Sequence, residues 1–150
     1  MLRSALLVAI LVTGYFVMPL RGERWWVGAL VGTLAIVGTM PVTVRRVRAV
    51  RQAEQPVLVA IEAIVLLVSM LVLGFSAIYY AIDVEPGQFE DLATRVDAVY
   101  FTVTTMATVG YGDVHAVGQA SRAIVTVQML ANLTFVGIVV RVMARAAGTR

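Results

Sequence analysis

The feature that most limits what this chain can fold into is the recurrence of long apolar runs, at residues 4–20, 25–44, 56–82 and 119–143. A helix rises 1.5 Å per residue and the hydrocarbon layer of a bilayer is roughly 30 Å thick, so runs of about 20 residues suit helices that cross it. Composition agrees: 60% of the 150 residues are hydrophobic and 14% are charged, where soluble domains carry about 25% charged residues. The expectation is an all-α integral membrane protein with four membrane-crossing helices. Arg3 ahead of the first run resembles the start of a signal peptide, but no small-residue cleavage pattern follows Val17, Met18 and Pro19, and a helix is expected instead. Residues 21–24 are a short polar turn, so the first two runs read as a helical hairpin.

Charge placement sets an orientation. All twelve basic residues are Arg. With both termini cytoplasmic, Arg3, Arg45, Arg46, Arg48, Arg51, Arg141, Arg145 and Arg150 lie inside and Arg21, Arg24, Arg95 and Arg122 outside, eight against four, as the positive-inside rule favours. Asp83, Glu85, Glu90, Asp91, Asp97 and Asp113 then face outward, and Trp25 and Trp26 are anchors at the outer interface. Arg residues at the ends of apolar runs form no soluble basic domain, which excludes a nucleic-acid binder. Without Cys there are no disulfides, thiolate metal sites or thiol catalysis.

Between the third and fourth runs lies a shorter apolar segment, Val96 to Ala107. A helix over residues 95–107 reaches only about 20 Å, so it must enter the membrane and return. Thr94 and Asp97 are spaced as an N-terminal capping pair, which places the helix start near Arg95. The C-terminal end then points into the membrane with roughly half a negative charge, a favourable neighbour for a cation.

Directly after this helix comes Thr108, Val109, Gly110, Tyr111, Gly112, flanked by Thr105 and Asp113. Here the chain resembles the tetrameric potassium channels, whose selectivity filters carry this pentapeptide. The resemblance covers the segment from residue 57 to 143 and hardly touches the N-terminal hairpin. It implies two domains, residues 1–55 as the hairpin with an Arg-rich linker and residues 56–150 as the pore module. It also implies four copies around a pore, with potassium held by the carbonyls of Thr108, Val109, Gly110 and Tyr111 and the Thr108 hydroxyl at the innermost site. Glycine at 110 and 112 tolerates the left-handed backbone that aims successive carbonyls one way. Such non-helical backbone survives at membrane depth only when it is buried or lines water. Some relatives pair an acidic pore-helix residue with the Asp after the filter. This chain has Thr104 there, and Tyr100 is the candidate partner of Asp113 instead.

The fourth run is expected to line the pore. At 100° per residue, Val125, Gln128, Asn132, Val136, Val139 and Met143 fall within about 40° of one direction, with Arg141 opposite. Gln128 and Asn132 read as cavity-lining, the alternative being polar contacts between packed helices. Many relatives have a hinge glycine where this chain has Asn132, and Gly137 is the nearer candidate for a bend. Val139 and Met143 are candidates for an apolar ring that closes the pore by dewetting. Glu62, about 9 Å inside the cytoplasmic end of the third helix, needs a partner, and Arg141 lies at similar depth. That pair serves either helix packing or gating.

A voltage sensor needs Arg repeated through a span, whereas Arg45, Arg46, Arg48 and Arg51 follow the second run and read as topology determinants or contacts for anionic lipid. The seven residues after Met143 are too few for a ligand-sensing domain. His115 is a lone histidine in a polar loop, and no nucleophile and base pairing or phosphate loop appears, so no enzyme and no organic cofactor are expected. The reading is a homotetrameric potassium channel in the plasma membrane of a microorganism. Its rivals are a nonselective cation pore and a non-conducting membrane subunit.

Overall fold

The structure, a computed structural model, describes residues 2–18, 20, 26, 27, 30, 34, 38, 55–84 and 87–147. Its elements in chain order are α1 (Leu2–Val17), α2 (Pro56–Ile82), β1 (Phe89–Glu90), α3 (Arg95–Met106), β2 (His115–Ala116) and α4 (Gln119–Ala147). Among the described residues, α2 and α4 contain the two helices long and apolar enough to cross a membrane, Val57–Ile82 and Gln119–Arg141. The first run forms the shorter apolar helix α1. The second run, with Arg45, Arg46, Arg48 and Arg51, lies outside the described residues except for Trp26, Val27, Leu30, Leu34 and Gly38, all helical.

Helix α2, 27 residues long, opens on Pro56, where the missing backbone N–H would have no helical partner in any case. It closes on Asp83, whose N–H donates to the Tyr79 carbonyl at 3.1 Å. Leu67, Leu71, Phe75 and Tyr79 repeat every fourth position along one stripe of α2 and form the main core with Phe89, Leu92, Ala98, Phe101, Val114 and Val125. At its centre three rings meet edge to face, Tyr79 to Phe89 and Phe101 at 5.3 Å and Phe89 to Phe101 at 5.4 Å, a favoured aromatic geometry. The core therefore fastens the short helix α3 between the two long ones.

One departure from an all-helical chain is a two-stranded antiparallel ribbon, with Phe89 opposite Ala116 and Glu90 opposite His115. The cross-strand pair brings His115 Nε2 within 3.2 Å of Glu90 Oε2. Gln88 binds this loop to the start of α4: its carbonyl accepts from Val117 N–H, Gly118 N–H and the Ser121 hydroxyl, at 3.0, 3.1 and 2.5 Å. A Cβ on Gly118 would stand 2.9 Å from the Gly87 carbonyl oxygen, a backbone atom, as well as 2.3 Å from the movable end of the Gln88 side chain, so glycine suits the approach.

Candidate functional site

The local chemistry of residues 93–97 fixes where α3 begins. Thr94 accepts from the Asp97 N–H at 3.2 Å, and Asp97 Oδ2 accepts from the Thr94 N–H at 2.7 Å and the Ala93 N–H at 3.1 Å. This capping box satisfies backbone donors that a helix start leaves open. The helix runs 12 residues, about 18 Å, and stops at Met106, one residue short of the expected end.

Beyond it the backbone changes character. Thr108, Gly110 and Gly112 have φ of 58°, 52° and 83°, and Val109 and Tyr111 between them do not have positive φ. A chain alternating between the two hands runs extended while keeping its peptide planes similarly turned, unlike a strand, whose carbonyls alternate. The N–H groups of the first three residues turn back to the pore helix: Thr108 donates to the Thr105 carbonyl at 3.2 Å, and Val109 and Gly110 to the Thr104 carbonyl at 2.9 and 3.4 Å. Among the described residues, no backbone N–H donates to the carbonyls of residues 108–112. The result is a row of unused acceptors beside the negative end of a helix, an arrangement suited to a bare cation.

Behind this row, Tyr100 Oη donates to Asp113 Oδ2 at 2.7 Å, and the Tyr100 and Tyr111 rings stack 6.5 Å apart at 4°. The Tyr100 hydrogen bond holds the Asp113 carboxyl below its ordinary pKa. Thr104 takes no part in that brace through its side chain, which donates to the Phe101 carbonyl at 3.1 Å.

The model of a family described as "Ion channel" matches residues 67–148, more than half of the chain. The chain belongs to this ion channel family. Among its relatives are Two pore potassium channel b of Oryza sativa subsp. japonica, 40% identical over 72 residues, and Potassium channel AKT2/3 of Arabidopsis thaliana, 50% identical over 38. These matches cover 48% and 25% of this chain but only 20% and 5% of the two plant proteins. No solved structure matches.

On α4 the two polar positions assigned to a cavity by helical phase are buried against α3. Gln128 does not line an open cavity; it is 1% exposed, its Oε1 accepting from Tyr79 Oη at 2.5 Å and its Nε2 donating to the Thr102 carbonyl at 3.0 Å. Asn132 is also buried, with Nδ2 3.5 Å from the Thr105 carbonyl, the outer limit of a hydrogen bond. The physical reason is that α3 of the same subunit occupies the space facing the upper part of α4, which helical phase cannot reveal. Lower down, Gly137 and Met143 are exposed and Val139 is half-buried.

Glu62 and Arg141, expected to pair, sit in different surroundings. Glu62 lines a groove with Ala5, Ala9 and Val12 of α1, whereas Arg141 is exposed on α4.

Sequence reasoning missed the channel's buried polar root. Ser76 Oγ lies 3.0 Å from Thr102 Oγ1 and donates to the Val72 carbonyl at 2.6 Å, while Thr102 Oγ1 donates to the Ala98 carbonyl at 2.8 Å. With Tyr79 and Gln128 this cluster links α2, α3 and α4. The available signal was Gln128 itself, since a polar side chain in an apolar helix requires a partner.

Proposed function

We propose that this chain assembles as a homotetrameric potassium-selective channel, with potassium held by the carbonyls of Thr108, Val109, Gly110 and Tyr111 and by the Thr108 hydroxyl. The observation that carries this reading is the alternation of φ through residues 108–112 beneath N–H groups committed to the pore helix. Gly112 ends the row, and Tyr100, Thr104, Thr105 and Asp113 brace it from behind. A dehydrated potassium ion needs rings of oxygens, and one chain cannot close a ring. Val109 and Tyr111 are 52% and 71% exposed in the single subunit, and Val127, Leu130, Leu133 and Val136 of α4 are exposed as well. Apolar surface of this extent fits neighbouring subunits and lipid. The names of both plant relatives support potassium as the permeant ion.

Potassium passes down its electrochemical gradient without chemical change, across the cell membrane of a prokaryote, with both termini cytoplasmic. Residues 1–55 serve as a peripheral hairpin and linker, with Arg45, Arg46, Arg48 and Arg51 contacting anionic lipid, and residues 56–150 as the pore module. Gly137 supplies the bend in the inner helix, and Val139 with Met143 the apolar closure. Replacing Val139 with serine is expected to raise the open fraction in single-channel recordings, and unchanged gating removes this gate.

The deciding test is flux through purified tetramers in liposomes, with potassium and sodium compared. Potassium flux with little sodium flux is expected. Equal flux of both ions rejects the selective filter, and correctly assembled tetramers silent to both under every lipid and voltage tried support a non-conducting subunit.

A further inference from the structure

Arg95 occupies an unexpected position. It is the first residue of the pore helix, where a cation opposes the positive end of the helix dipole. Its guanidinium instead reaches α1: Nη1 donates to the Tyr15 carbonyl and Nη2 donates to the Met18 carbonyl at 2.5 Å. Tyr15 is in the last turn of α1, where carbonyls lack helical partners and a cation is favoured. The exchange is reciprocal, since Tyr15 Oη donates to the Arg95 carbonyl at 2.8 Å. The guanidinium also lies over two rings, 6.0 Å from the centre of Tyr15 and 5.4 Å from that of Tyr80. Around this latch, Tyr15, Leu20 and Ala77 form a buried apolar cluster against which Val99 of the pore helix packs.

We propose that Arg95 is a positioning residue that joins the N-terminal helix to the pore helix, so that the conducting geometry of residues 108–112 depends on where α1 stands. The inference rests on the filter reading above. Its mechanical basis is the pore helix itself, 12 residues of continuous helix with α1 gripping one end and the Thr104 and Thr105 carbonyls holding the filter N–H groups at the other. A shift of α1 moves the first end and is transmitted along the rod to the second. The core around Tyr79 supplies the fulcrum, because Thr102 and Phe101 pin the middle of the helix. Helix α1 thereby acts as a control element for the filter.

The test uses the full chain as tetramers, comparing wild type with Arg95→Ala, Arg95→Lys and Tyr15→Phe. Each is melted in potassium and in sodium, and single channels are recorded at low and high potassium. Ions that bind the conducting filter stabilise it by mass action. Arg95→Ala is expected to shrink the potassium-dependent increment in melting temperature and to lower the open fraction about tenfold at low potassium, a typical size for coupling between sites. High potassium should restore most of the loss. Arg95→Lys, which keeps the charge without the planar fork, should fall between. Tyr15→Phe removes one hydroxyl and should show a smaller change in the same direction; it carries the test if Arg95→Ala does not assemble. Equal losses of melting temperature in both salts, or an unchanged open fraction at low potassium, would overturn the coupling while leaving the filter intact. A wild-type tetramer with no potassium-dependent increment and no preference for potassium over sodium overturns the filter reading itself.

Discussion

Ser76, Tyr79, Thr102 and Gln128 form a polar cluster whose hydrogen bonds are completed within one subunit, whereas residues 108–110 give their N–H groups to the Thr104 and Thr105 carbonyls and, among the described residues, the carbonyls of 108–112 receive no backbone donor. The two regions are joined by the same helix, the first gripping its middle and the second hanging from its end. Burial of a polar side chain is costly unless it is paired, so the first region gains from completeness. The second gains from incompleteness, because acceptors already engaged by protein donors would have less to offer a passing ion. The proposed pore thus sets completed hydrogen bonding immediately beside acceptors left open.

The contrast breaks most severely at Gly110. Its φ of 52° is left-handed, and a Cβ there costs roughly 1–2 kcal/mol in each subunit. The space around it is open within one chain, so the penalty falls on conformation and not on packing. Gly110→Ala is expected to abolish potassium flux in liposomes while leaving tetramer assembly on size-exclusion chromatography unchanged. Retained selective flux would show that the alternating backbone is dispensable.

A second, smaller effect belongs to the root. Gln128→Leu leaves the Tyr79 hydroxyl and the Thr102 carbonyl facing an apolar group, at a cost of about 1–3 kcal/mol for a buried unpaired partner. Melting temperature should drop, and the loss on adding Tyr79→Phe should be less than the sum of the single losses, since the two side chains share one bond. Additive losses would mean that Tyr79 and Gln128 act independently.

The smallest effect lies behind the filter. Tyr100→Phe removes the bond to Asp113 and should change the rate at which the filter stops conducting by a few fold, leaving the fold unaffected. The acid dependence has a definite sign. The Asp113 carboxyl lies below its ordinary value of 3.8, so the stabilisation from its ionised form is present above that value and is lost as pH falls through the lower, folded one. Wild type and Tyr100→Phe should therefore differ at neutral pH and converge only in acid well below 3.8. Identical rates at neutral pH would remove Tyr100 from the filter's support.

Local signals made much of this architecture legible in the sequence. Thr94 and Asp97 lie three residues apart and specify their own capping box, and the identities at 108–112 spell out the backbone they need. Contacts between distant segments were less readable. Gln128 meets Tyr79 across 49 positions, and its helical phase indicated a face without saying what lies opposite. Glu62 was matched to Arg141 by depth and helical phase, neither of which shows that it also lines the groove beside α1. The role of Arg95 was hidden for a related reason. As an outer Arg it served to set orientation, and only the approach of α1 brings carbonyls to its guanidinium.

The close approach of Gly118 to Gln88 also limits how the outer entrance can change shape. Because the Gln88 carbonyl receives two backbone N–H groups and the Ser121 hydroxyl at the head of α4, the loop and the top of that helix travel as one piece. Among the described residues of this loop, 87–90 form no flap separate from the helix. In the proposed pore, narrowing beside this loop comes from residues 108–112 or from rotation of α4 as a whole, and a blocker wedged against residues 87–90 would press on the helix as directly as on the loop.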